Sequence, residues 1–103
     1  MPKDSLQDYI VDHLRELGPV RWRAMFGGHG LLYHGVVFFG ILYRGRLYFK
    51  TDATSRRDYR AHGMQPFRPN ARQTLKNYFE VPAEILDDPD QLTAWAQLAI
   101  RLR

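Results

Sequence analysis

The chain contains 103 residues, of which 45% are hydrophobic and 25% are charged, with a net charge of +4. This length suits a single domain over residues 1–103 and excludes a dinucleotide-binding domain followed by a separate substrate domain. The absence of cysteine excludes a disulfide framework, a thiolate metal site and a cysteine nucleophile. No apolar run approaches the ~20 residues of a membrane span, and the acids Asp4, Asp8, Asp12 and Glu16 are atypical of a secretory or transit peptide. We therefore expect a cytoplasmic protein without membrane contact.

The positive charge is concentrated in the middle of the chain. Residues 44–76 hold nine basic and two acidic residues, a local charge of +7, whereas residues 1–19 and 77–103 are acidic. A basic segment of this kind is typical of a surface that binds phosphate. The same distribution is also expected if acidic helical ends cover a basic hairpin, or if the arginine excess reflects genomic base composition.

The spacing of apolar residues and the positions of glycine and proline predict the order of helices and strands. We predict first a helix over 5–17, followed by strands from Val20 to Met25 and over 31–33, 36–43 and 46–51. A helix over 53–62 and an irregular extended passage over 64–74 come next. The chain then continues with a strand over 75–81, a helical turn over 82–87 and a last helix from Asp88. His34-Gly35 and Arg44-Gly45 are predicted turns.

This order predicts an α+β fold with an antiparallel four- to five-stranded sheet. An N-terminal helix, a short middle helix and a C-terminal helix are expected to pack mainly on one face of the sheet. Asp52 is the expected N-cap of the middle helix, and Gly63 its C-terminal stop.

The predicted strand over 36–43 is apolar on both faces. Strict alternation places Val36, Phe38 and Leu42 on one face and Val37, Phe39, Ile41 and Tyr43 on the other. A half-solvated strand should instead alternate apolar with polar residues, so both faces require a cover. One layer of helices covers one face. The other face then needs a subunit interface with a second copy, the helix over 53–62, or the passage over 64–74.

No arrangement of residues predicts catalysis. The cluster Gly27, Gly28 and Gly30 has neither of the phosphate-loop spacings, and a glycine-rich bend or bulge between sheet segments explains it better. The four histidines lack metal-ligand spacing, and the two serines both mark helix starts. We therefore expect no catalytic residue, no cofactor and no metal, and a small-molecule site has only the glycine bend in its favour.

The basic segment supplies the candidates for nucleic-acid contact. They are Arg44, Arg46 and Lys50 on the predicted hairpin, with Arg56, Arg57 and Arg60 on the middle helix. Direct DNA binding through residues 44–60 is the alternative to a role in protein contact.

Four stretches together resemble one known family. They are Arg23-Ala24-Met25-Phe26-Gly27-Gly28-His29-Gly30, Gly45-Arg46-Leu47-Tyr48-Phe49-Lys50-Thr51-Asp52, Gly63-Met64-Gln65-Pro66-Phe67 and Tyr78-Phe79-Glu80-Val81-Pro82-Ala83-Glu84-Ile85-Leu86. In this order they are similar to the N-terminal domain of the TfoX/Sxy family of bacterial regulators associated with natural competence. Longer members carry a C-terminal helical domain, and we expect this chain to be a stand-alone N-terminal domain.

The resemblance implies an α+β domain that acts in transcription of competence-type genes together with a DNA-bound activator of the catabolite activator class. The leading hypothesis is a non-enzymatic module that contacts a transcription factor and forms a homodimer through a sheet face. The candidate interaction residues are Arg23, Met25, Phe26, Gly27, Gly28, Phe38 and Phe39.

Overall fold

The computed structural model describes residues 3–25 and 27–102. Its helices are α1 (Lys3–His13), α2 (Ser55–Ala61), α3 (Ala83–Leu86) and α4 (Pro89–Arg101), with a 3-10 turn at Arg15–Leu17. Its strands are β1 (Val20–Met25), β2 (Gly28–Tyr33), β3 (Val37–Tyr43), β4 (Arg46–Lys50), β5 (Pro66–Asn70) and β6 (Gln73–Glu80). In the part of the chain that is described, no helix combines the length and apolar character needed to cross a bilayer.

The strands form one antiparallel sheet in the order β1-β2-β3-β4-β6-β5. The α+β class with N-terminal, middle and C-terminal helices is confirmed, but the sheet has six strands instead of four to five. The additional strand is β5, where Pro66 and Pro69 predict an irregular passage. Both prolines are tolerated because β5 is an edge strand and pairs only with β6.

Two predicted turns connect the central strands as expected. His34 and Gly35 have φ angles of 54° and 71°, and Arg44 and Gly45 have φ angles of 49° and 77°. Positive φ at both central residues gives a turn whose twist matches that of antiparallel strands. These hairpins therefore form from local sequence, and they set β2, β3 and β4 side by side.

The main core lies between the sheet and the helices. Its fully buried members include Ile10 of α1, Phe39 of β3, Phe49 of β4 and Leu92 of α4. Tyr59 of α2 belongs to the same core, so the middle helix packs on this face. A second, smaller cluster on the opposite face contains Ile41, Tyr48 and Phe67.

A bulge in β3 changes the predicted assignment of its two faces. Leu31 pairs with Gly40 and the next residue, Leu32, pairs with Phe38, which leaves Phe39 as an extra residue in β3. The alternation shifts by one at this point. Phe39 consequently joins the main core with Leu42, whereas Phe38 packs against the second cluster with Ile41 and Tyr43. The strict alternation predicted for 36–43 is therefore wrong.

The second face is covered by β5 and its neighbours, which confirms one of the three alternatives, the passage over 64–74. The ring of Phe67 lies 4.7 Å from that of Tyr48 and 5.2 Å from that of Tyr43. The Tyr43 hydroxyl donates a 3.3 Å hydrogen bond to the carbonyl of Pro69. Because the chain covers Ile41 by itself, the apolar strand does not require a second copy, and the homodimer stays a prediction.

Candidate functional site

A groove of about 410 Å³ lies between α2, the loop that follows it and β6. It is lined by Arg56, Arg60, Gly63, Met64, Gln65, Pro66, Lys76 and Phe79, and we call it the basic groove. None of these described lining residues is acidic. Three cationic side chains therefore surround an apolar floor formed by Met64, Pro66 and Phe79.

The guanidinium of Arg56 is fixed in position by two hydrogen bonds. Its Nε donates to Oγ1 of Thr51 at 3.1 Å, and its Nη2 donates to Oδ1 of Asn77 at 2.7 Å. Thr51 is itself buried, and its hydroxyl donates at 2.9 Å to the carbonyl of Asn77. A cation held on two sides loses little rotamer freedom when it binds a ligand, which favours binding.

Arg60 lies one helical turn after Arg56, so both project from the same face of α2. Its guanidinium carbon is 5.6 Å from the centre of the Phe79 ring, within range of a cation–π interaction. Lys76 adds a third, exposed cation from β6. The groove thus draws its positive charge from two elements that are distant in sequence.

Local sequence determines where α2 begins and ends. Ser55 N donates a 2.8 Å hydrogen bond to Oδ1 of Asp52, and Asp52 N donates in return to the Ser55 hydroxyl at 3.0 Å. The hydrogen bond from Ser55 N is the main reason that the pKa of the Asp52 carboxyl lies below its usual value. Gly63 has a φ of 76° and ends the helix. The predicted stop at Gly63 is confirmed. The helix is shorter than predicted and has Thr54 at its N-cap position, so the Asp52 side chain caps the turn that leads into α2.

The structure divides the predicted nucleic-acid residues. Only Arg56 and Arg60 meet in the basic groove. Arg46 lies near the start of β4 and forms a 3.2 Å ion pair with Glu80, whereas Lys50 at its end donates to the carbonyl of Leu102 at 3.4 Å.

The other two members of that set lie outside the basic groove as well. Arg44 lies in the hairpin turn with its guanidinium carbon 5.2 Å from the Tyr43 ring centre, and Arg57 is exposed on α2. The predicted set therefore does not form one continuous basic surface.

Lys76 and the apolar floor of the groove were missed from sequence. Lys76 carries no local signal, since it stands alone between Leu75 and Asn77 in a strand pattern. It joins Arg56 and Arg60 only because β6 pairs with β4 and receives α2 on its surface. A contact of this kind depends on topology, which spacing along the chain does not reveal.

The predicted interaction residues are also divided. Arg23 is exposed on β1, Gly27 is exposed in the turn after it, and Phe26 lies outside the described residues. The prediction that Phe39 is an interaction residue is corrected, because Phe39 is fully buried in the main core and cannot contact a partner. Phe38 is half-buried, with its ring edge-on to Tyr78 at 5.6 Å.

The glycines beside these residues allow close packing. A Cβ at Gly28 would lie 2.3 Å from the carbonyl oxygen of Leu42, and one at Gly30 would lie 2.7 Å from Cε of Met25. Met25 and Phe38 therefore meet over Gly30. The glycine cluster serves packing within the β1–β2–β3 sheet, in agreement with its interpretation as a sheet feature.

The chain was compared with models of protein families. The model described as the TfoX N-terminal domain matches residues 12–102, which is nearly the whole chain. No curated protein matches the chain significantly.

Proposed function

Because the chain belongs to the TfoX N-terminal domain family, we propose that it is a non-enzymatic regulatory domain of the competence-related kind that acts through contact with another protein. The partner that the family resemblance implies is a DNA-bound activator of the catabolite activator class. In this proposal the domain works in the cytoplasm, needs no cofactor and alters transcription through its partner.

The observation that carries the proposal is the composition of the basic groove. Arg56, Arg60 and Lys76 supply positive charge. The half-buried Met64 and Pro66 supply apolar surface beside Phe79, which is itself only 3% exposed. A peptide segment that combines carboxylates with an apolar anchor is complementary to both features. A nucleic-acid backbone would use the cations and leave the apolar floor unused.

Direct DNA binding is the second candidate, because the same three cations also attract phosphate. It is weakened because Arg46 pairs with Glu80 and Lys50 contacts Leu102, so these two cations of the predicted segment lie outside the groove. Arg44 and Arg57 also lie outside the groove, so the predicted cations do not form one surface for a duplex.

A mobility-shift experiment separates the two candidates. The purified chain is added to a DNA fragment that carries the activator's site, with and without the purified host activator. A further shift that requires the activator supports protein contact. A shift by the chain alone that weakens steeply with salt supports direct DNA binding instead. No shift under either condition at low salt contradicts both.

Charge reversal then locates the contact. Arg60→Glu with Lys76→Glu should abolish the activator-dependent shift, because the groove loses two cations and gains two carboxylates. Arg57→Glu is the matched control, since Arg57 is exposed on the same helix and does not line the groove. Equal loss in the control and the groove variant would mean that overall charge, rather than the groove, controls binding.

A further inference from the structure

The two edges of the sheet differ in their capacity to accept another strand. Two of the five residues of β5 are proline, and proline has no backbone N–H to donate. At the other edge, β1 contains no proline and pairs only with β2. The β1 edge is therefore the side of the sheet where strand addition is chemically possible.

The hydrogen-bond register identifies the backbone groups that face outward. His34 N donates a 2.9 Å hydrogen bond to the carbonyl of Pro19, and β1 then pairs with β2 without a shift from Val20 to Met25. Because hydrogen-bonded pairs alternate in an antiparallel ladder, residues 21, 23 and 25 bond to β2. The N–H and C=O groups of Val20, Trp22 and Ala24 point away from it. They bond to no other described segment.

The side chains of β1 give this edge a positive charge on one face. Val20 and Trp22 pack against the main core, so alternation places Arg21 and Arg23 on the opposite face. Both arginines are exposed. Helix α1 contributes Ile10 to the main core, so it lies on the other face of the sheet and leaves the arginine side open.

There is also room beside the edge. An open depression of about 760 Å³ adjoins the start of β1, between its first residues and α1. Two acidic residues of α1, Asp8 and Asp12, line it on the helix side, and Asp12 is ion-paired with Arg15. The depression reaches Val20 and Arg21, so the start of β1 is open to an incoming strand.

The charge pattern distinguishes between possible occupants. In antiparallel pairing of two β1 strands about Trp22, Arg21 of one copy would stand opposite Arg23 of the other, and like charges in that position are destabilising. A strand with carboxylates at alternate positions would instead place an acid opposite each arginine. We propose that the β1 edge binds an extended segment of a partner protein that carries carboxylates at every second residue, by strand addition. This surface is separate from the basic groove, which lies near the opposite edge of the sheet.

The probe is a synthetic peptide in which Glu alternates with Val and Thr, added to the full ¹⁵N-labelled chain. Binding should protect the amides of Val20, Trp22 and Ala24 from hydrogen exchange, while those of Arg21 and Arg23 are protected beforehand. A peptide with Lys in place of Glu should not bind. Absence of amide protection with the acidic peptide overturns the proposal, and so does protection in the peptide-free protein that rises with its concentration, which indicates a second copy.

Two substitutions at one exposed position test strand addition itself. Ala24→Pro removes an outward N–H and should lower the affinity for the acidic peptide about tenfold. This is the effect expected from one lost hydrogen bond together with local restriction of the strand. Ala24→Val keeps the N–H and should bind within about twofold of the unmutated chain. Equal affinity of the two variants overturns the proposal.

Charge reversal provides a test that does not depend on the proline variant. The double variant Arg21→Glu with Arg23→Glu should no longer bind the acidic peptide and should bind the Lys peptide instead. Binding of the Lys peptide should protect the same three amides of β1 from hydrogen exchange. Retention of the acidic peptide by this variant overturns the proposal. The groove variant Arg60→Glu with Lys76→Glu leaves β1 unchanged and should bind the acidic peptide normally. The two proposals can therefore fail independently of each other.

Discussion

The Nη2 atom of Arg56 lies 2.7 Å from Oδ1 of Asn77, and this hydrogen bond joins α2 to β6 across the end of the basic groove. The same residue of β6 accepts from Thr51 through its backbone carbonyl. The strand therefore positions the arginine by its side chain and the preceding loop by its backbone. Neither role can be read from the sequence around residue 77.

Substitutions of Asn77 should separate stability from binding. Asn77→Ala leaves Arg56 without this acceptor and should lower the free energy of unfolding by about 1 kcal/mol. Asn77→Asp keeps an acceptor and should retain stability, but it places a carboxylate beside the groove and should weaken an acidic partner. Urea unfolding measures the first effect and the activator-dependent mobility shift measures the second. A full binding signal with Asn77→Asp would contradict the charge argument.

Phe67 should be among the residues on which stability most depends. It is fully buried and contacts both Tyr43 and Tyr48, so Phe67→Ala should lower the free energy of unfolding by about 3–5 kcal/mol. Arg68→Ala, next to it on β5 and exposed, should cost less than about 1 kcal/mol. Chemical denaturation checks both values, and similar losses would mean that β5 does not seal the second face.

The same variant tests the predicted homodimer. If the cover by β5 is sufficient, the unmutated protein should have a monomeric mass in light scattering, and Phe67→Ala should associate as its concentration rises. A stable dimer of the unmutated protein would show that self-association has a cause other than the exposure of Ile41 and Tyr48.

Gly40 should not tolerate a methyl group. A Cβ there would lie 2.9 Å from the carbonyl oxygen of Tyr48 and 3.1 Å from the Phe49 ring, so Gly40→Ala should cost about 1–3 kcal/mol. Gly45→Asn is the control, because Gly45 has no neighbour within 4 Å of that position and asparagine accepts positive φ. The melting temperature of Gly40→Ala should be well below that of Gly45→Asn, and the reverse order would contradict the packing argument.

Asp88 should make the stability of α4 depend on acid pH. Its carboxylate accepts hydrogen bonds from N–H groups of Asp90 and Gln91 and from the Gln91 amide at 2.9 Å, which lowers its pKa below 3.8. A lowered folded-state pKa means that the stabilisation is complete above the unfolded value and declines as pH falls through the folded value. Acid should therefore weaken this N-cap.

The measurement compares melting temperatures at neutral pH and in progressively more acid solution, in which the Asp88 carboxyl becomes protonated. Asp88→Ala should melt below the unmutated protein at neutral pH, and the difference should shrink in acid. Asp88→Asn keeps an uncharged acceptor and should lose less at neutral pH. A difference between Asp88→Ala and the unmutated protein that does not change with pH would contradict a role for the ionised carboxyl.

Sequence reasoning succeeded where the cause of a structure is local. The His34-Gly35 turn and the start of the last helix at Asp88 depend on residues next to each other, and both were predicted. The bulge at Phe39 was missed because it appears only when β3 is paired with β2. Strand β5 was missed because proline argues against a strand, and only its edge position makes proline acceptable. Lys76 was missed because its neighbours in the groove come from α2.

The prolines of β5 have one further consequence for the behaviour of the molecule in concentrated solution. A sheet that could accept strands at both margins could grow copy by copy into a fibril. In this sheet strands can be added at the β1 margin only, so an assembly built through β1 ends once that margin is occupied. The complexes formed by this fold are therefore finite, even where the partner is abundant.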